Sequence, residues 1–214
     1  MGKDNANLII LKKLYQKKKA QIISRLDEFK KILNKSEKHI FKELCFCILT
    51  PQSKAKVADR LINRLYNSGL LFKANKFQLQ KYLKPIRFYK KKSEYIVNCR
   101  KKIFLEQKIK DFLTKNNPLV IRNWLIKNIK GIGYKEASHF LRNIGLGENL
   151  AILDRHILKN LKKYGVIKKI PKTLTPKRYL KIEEGFKKFS DKINIPLSHL
   201  DLLFWSLEAG EIFK

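Results

Sequence analysis

Cysteine is scarce. Cys45, Cys47 and Cys99 form no CxxC pair, and no cysteine follows Cys99. That excludes a zinc site or an iron–sulfur cluster held by four thiolates of this chain. Cys45 and Cys47 stand in the apolar run LCFCIL, where reduced core packing is the expectation. Long apolar runs are also missing, and nothing approaches the roughly 18–20 residues of a membrane span. The opening MGKDNANLIILKKLYQKKKA contains a four-residue apolar run, too short for a secretory signal, so a soluble, intracellular protein is expected. Runs of alternating apolar and polar residues are lacking too, which argues against a sheet. Acidic residues are few: 18 Asp and Glu stand against 49 Lys and Arg, a formal net charge of +31. A domain with this excess attracts polyanions and releases their counterions on binding, which points to nucleic acid.

Helical spacing of apolar residues fills most of the chain instead. LIILKKLYQKKKAQIISRLDEFKKIL predicts one or two amphipathic helices, and HIFKELCFCIL a helix buried on most sides. FYKKKSEYIVNCRKKIFLEQKIKDFL continues the helical pattern. Further helices are marked by their starts: Asn117 before Pro118, Asp154 before RHIL, and Thr175 before Pro176. PLSHLDLLFWSLEAGE predicts the last one. The expected fold is all-α, with about ten short helices and short turns.

The stretch NIKGIGYKEASHFLRNIG sets Gly131-Ile132-Gly133 between two helices. Glycine permits positive φ and close backbone approach, and Ile132 can plug the seam between the helices. Amides at the start of the second helix then form an anion site suited to a DNA phosphate, gripped without reading sequence. Lys135 follows at the start of that helix, where the dipole disfavours a positive charge. A lysine amine freed of its proton is a nucleophile that can form a Schiff base. In LAILDRHIL, Asp154 can cap a helix and also face that lysine, where a carboxylate could accept a proton or stabilise a cationic sugar.

GIGYKEASHFLRN together with AILDRHIL resembles the helix-hairpin-helix DNA glycosylase superfamily, and within it the type-2 8-oxoguanine DNA glycosylase/AP lyases. The likeness extends over roughly residues 20 to 214, through FKELCFCILTPQ, IRFYKKKSEYIV and LDLLFWSLEAGEIFK. The resemblance implies two helical lobes flanking a DNA-binding cleft. One comprises about residues 1–38 and 146–214; the other comprises about 39–145, with the helix-hairpin-helix at 118–145. It implies excision of 8-oxoguanine through a Schiff base on Lys135, with Asp154 stabilising developing charge, and strand nicking by β-elimination. It implies a base pocket formed by Phe88, Trp205 and Lys214, whose α-carboxylate could accept hydrogen bonds from the base. Gln52 would probe the vacated stack, Gly131 and Gly133 would hold the backbone, and His156 would touch a phosphate. The partner implied is double-stranded DNA containing 8-oxoguanine. A monomer associated with the nucleoid is expected, with no cofactor, no catalytic metal and no membrane. Pro51 and Gln52 stand where closely similar members often carry Ala-Asn. A glycosylase/lyase for another oxidised base and a non-enzymatic helix-hairpin-helix module are the competing possibilities.

Overall fold

The computed structural model describes residues 3–106 and 108–214, and side chains from residue 6 onward except residue 107. The described residues form twelve α-helices and no strand. The long α1 (Lys3–Leu33) is followed by α2 (Glu37–Leu49), α3 (Ala55–Asn67), α4 (Leu70–Lys73), α5 (Lys76–Leu83) and α6 (Tyr89–Lys101). Then come α7 (Ile109–Lys115), α8 (Pro118–Asn128), α9 (Tyr134–Asn143), α10 (Arg155–Lys163), α11 (Pro176–Ile193) and α12 (Leu197–Ala209). No helix among the described residues is long and apolar enough to cross a membrane.

The capping residues explain where several of these begin. Asn117 accepts from the amides of Leu119 and Val120 ahead of Pro118, and Thr175 accepts from Arg178 ahead of Pro176. One expectation needs correcting. The helical pattern expected to continue through residues 88–113 is broken: a π-helical turn, Lys102–Glu106, succeeds α6, and α7 starts anew at Ile109. Ile96, Cys99, Ile103, Ile109 and Leu113 are all buried, so the apolar pattern runs on while the backbone does not.

Buried apolar residues gather into two cores. The first runs without interruption in sequence from Ile40 to Leu150 and is built by α2–α9. The second joins Leu11–Phe29 of α1 to Ala151, Leu153 and residues of α10, α11 and α12. Cys45, Cys47 and Cys99 are reduced and buried, and burial pushes all three thiols up, away from reactivity.

Two buried ion pairs tie the cores together. Arg122 of α8 meets Glu183 of α11 at 2.7 and 3.0 Å, and Arg142 of α9 meets Asp201 of α12. Burial raises the Asp201 carboxyl to about 6, although the guanidinium of Arg142 draws it down.

Candidate active site

The hairpin between α8 and α9 is shaped by its glycines. Gly131 has φ of +87°, and a Cβ there would fall 2.5 Å from the Tyr95 ring, so only glycine suits the position. Ile132 is buried in the first core, as its place between two glycines predicts. Gly133 caps α9, and its amide donates to Oε2 of Glu136 at 3.2 Å. That carboxylate therefore takes one of the amides expected to face a phosphate. The other carboxylate oxygen, Oε1, lies 3.4 Å from Nζ of Lys135.

Asp154 is placed by α11. Tyr179 donates from its hydroxyl to the Ala151 carbonyl at 2.5 Å and accepts from the Leu153 amide at 3.3 Å. Glu183 accepts from the Ala151 amide at 2.8 Å. The extended segment leading to Asp154 is thus held along one face of α11. Asp154 then caps α10: Oδ1 accepts from the amides of His156 and Ile157, each at 2.8 Å. Tyr179 and Glu183 lie far along the chain from Asp154, and only the folded structure shows that they fix it.

Lys135 and Asp154 line one cleft of about 670 Å³. Gln52, His156, Trp205 and Lys214 line it too, so six of the nine site residues expected from sequence converge there. Gln52 sits in the turn between α2 and α3 with φ of +55°. The buried ammonium of Lys92 secures that turn, donating to the carbonyls of Leu49 at 2.8 Å and Pro51 at 2.6 Å. Burial, foremost, lowers this ammonium to about 8, with the charge of Lys135 adding to the effect. Trp205 on α12 faces Phe213 at a ring distance of 6.0 Å. His156 lies 3.8 Å from Glu208 through Nδ1. The ammonium of Lys214 is held by Glu43 at 2.9 Å and Asp59 at 2.8 Å and lies 4.9 Å from the Phe46 ring centroid. Burial opposes its charge, but Glu43 and Asp59 outweigh burial and raise its pKa.

Gly131, Gly133 and Phe88 stand outside the cleft lining. Phe88 precedes α6 with φ of +59°, is more than half exposed, and packs under the guanidinium of Arg87, which does line the cleft. The lining also includes Lys54, His139, Arg142, Arg155 and Asp201, none of which the sequence reading singled out. Arg142 and Asp201 are distant in sequence, and the signal that pairs them exists only in three dimensions.

A lysine amine and a carboxylate lining one basic cleft, with the lysine at the start of the second helix of a helical hairpin, define a DNA glycosylase of the helix-hairpin-helix class. Residues 22–195 match the family model described as 8-oxoguanine DNA glycosylase. An 8-oxoguanine DNA glycosylase/AP lyase of Fusobacterium nucleatum is 48% identical over 95% of this chain and 96% of its own. The crystal structure of the Methanocaldococcus jannaschii 8-oxoguanine glycosylase/lyase in complex with a 15mer DNA containing 8-oxoguanine superposes with a TM-score of 0.86. It is 41% identical and covers 96% of this chain and 100% of that one. The Thermotoga maritima 8-oxoguanine DNA glycosylase gives a TM-score of 0.89 at 35% identity, over 99% of this chain and 100% of that one. The chain belongs to the 8-oxoguanine DNA glycosylase family.

Proposed function

We propose that this protein is a bifunctional glycosylase/AP lyase that removes 8-oxoguanine from duplex DNA and nicks the strand. The convergence of Lys135 and Asp154 on one cleft carries the proposal. The base must leave the helix before any group can reach its glycosidic bond. DNA lies across the cleft between two lobes, one around each core, and the protein acts as a monomer on the nucleoid. Gln52 enters the stack the base vacates. Phe88 and Trp205 flank the extruded base, and Lys214 contributes to its recognition. Amides of the hairpin around Gly131 and Gly133 hold the neighbouring backbone, the Gly133 amide once Glu136 gives it up, and His156 meets a phosphate.

Lys135, once deprotonated, attacks C1′ of the deoxyribose. The Nζ–C1′ bond forms as the C1′–N9 bond breaks, and the base departs with the electron pair and takes up a proton. Asp154 stabilises the positive charge that develops on the sugar. Opening of the ring gives a Schiff base between Lys135 and C1′. Loss of a proton from C2′ then expels the 3′ phosphate by β-elimination, and water releases the lysine.

Borohydride trapping tests this assignment. Reduction in the presence of an 8-oxoguanine duplex should give a covalent protein–DNA adduct, and Lys135→Gln should abolish it while DNA binding persists. An undiminished adduct in the variant would move the nucleophile elsewhere. Duplexes carrying oxidised pyrimidines in parallel would reveal a different lesion, and release from none of them would leave a binding module.

A further inference from the structure

His139 has no task in the chemistry above, yet it lies one helical turn beyond Lys135 on the same face of α9 and lines the same cleft. Its ring is buried, with 6% of the residue exposed, and packs edge-on against Phe46 at 5.6 Å and 79°. Neither ring nitrogen has a protein hydrogen-bond partner. Burial, then the charges of Arg142, Lys135 and Lys214, push its pKa well below the ordinary histidine range; the backbone of Lys214 is near enough to oppose them slightly but makes no hydrogen bond of proper geometry to the ring. The ring is therefore neutral and offers one N–H donor and one acceptor. Leaving a buried polar group unpaired costs about 1–3 kcal/mol. A leucine or phenylalanine would fill the same space against Phe46 without that cost, so packing alone does not account for an imidazole here.

We propose that His139 is a base-recognition residue, one of whose ring nitrogens hydrogen-bonds the edge of the purine turned into the cleft. The proposal rests on the glycosylase function stated above. An oxidised purine presents carbonyl acceptors and an N–H donor along one edge, and an uncharged ring carrying a donor and an acceptor matches that pattern. The cationic groups nearby, Lys135 and Arg142, can only donate. A deoxyribose that has lost its base presents no such edge, so His139 bears on base release far more than on cleavage of an abasic strand.

Wild type, His139→Leu and His139→Gln should be compared in single-turnover release of 8-oxoguanine and in cleavage of an abasic-site duplex, using the same preparations. His139→Leu should slow base release at least about tenfold more than abasic cleavage, the loss of one buried hydrogen bond. His139→Gln, which restores a donor and an acceptor, should recover part of that difference. Equal losses in both assays, or undiminished base release, would overturn the proposal. A wild type that releases no 8-oxoguanine would instead overturn the functional assignment beneath it. If His139→Leu does not fold, the wild type itself carries the test through the 15N resonances of the His139 ring. They should shift on binding a duplex with a 2′-fluoro 8-oxoguanine nucleotide relative to an abasic-analogue duplex. Identical resonances in the two complexes would remove His139 from base recognition.

Discussion

Asp154 divides its carboxylate between two tasks. Oδ1 accepts both capping amides, which leaves Oδ2 without a part in the cap and open to the role proposed for it. Asn caps a helix about as well as Asp, so Asp154→Asn should shift folding stability by no more than about a few tenths of a kcal/mol. The same change removes the negative charge, and base release should fall by about 10² or more. Thermal melting and single-turnover excision on one preparation separate the two effects; a large melting shift with excision retained would make Asp154 a cap and nothing else. At this scale the sequence was informative wherever a residue's placement is tied to local spacing. Lys135 follows a Gly-Ile-Gly turn, and Asp154 precedes a helix. His139 stood in the same quoted stretch, but spacing alone could not show that its nitrogens are buried without partners. Arg87 was hidden beside the more conspicuous Phe88.

Helices α9 and α12 are joined through Arg142 and Asp201, and α8 and α11 through Arg122 and Glu183. Each pair is buried and each bridges the two cores. Removing one partner strands the other charge where water cannot reach it. Arg142→Leu should therefore cost about 3–5 kcal/mol, whereas Arg142→Leu combined with Asp201→Leu should regain most of that loss. Denaturant unfolding of both variants decides it: a double variant no more stable than the single one would show that the guanidinium acts by packing rather than by charge. Individual helices were legible because their ends carry chemistry, as at Asn117-Pro118 and Thr175-Pro176. The π turn at Lys102–Glu106 was not, because no proline or glycine marks it and the buried residues keep their period across it. The four-residue α4 is too short for any periodicity to show, which is one reason twelve helices stand where about ten were expected.

Across the whole molecule, charge governs encounter with DNA. With +31 formal charges, binding to undamaged duplex should weaken steeply with salt, the log–log slope being about −0.9 for each phosphate neutralised. Titrations at several salt concentrations measure the slope directly, and a flat response would mean that the basic surface does not touch the backbone. The charge behind this expectation is legible in composition, since it needs no knowledge of where each lysine points. The division into two cores has a different consequence, one of timing. The first core is continuous in sequence, but the second is shared between α1 and helices that follow the whole first core. On the ribosome, α1 emerges before the first core, and its residues Leu11–Phe29 wait for their partners until α10 to α12 have been synthesised. Lys135 precedes Asp154 in the chain and the two stand beside different cores, so a nascent chain carries the lysine before the rest of the cleft lining exists. A strand-cutting site of this design is assembled only after α12 has been made.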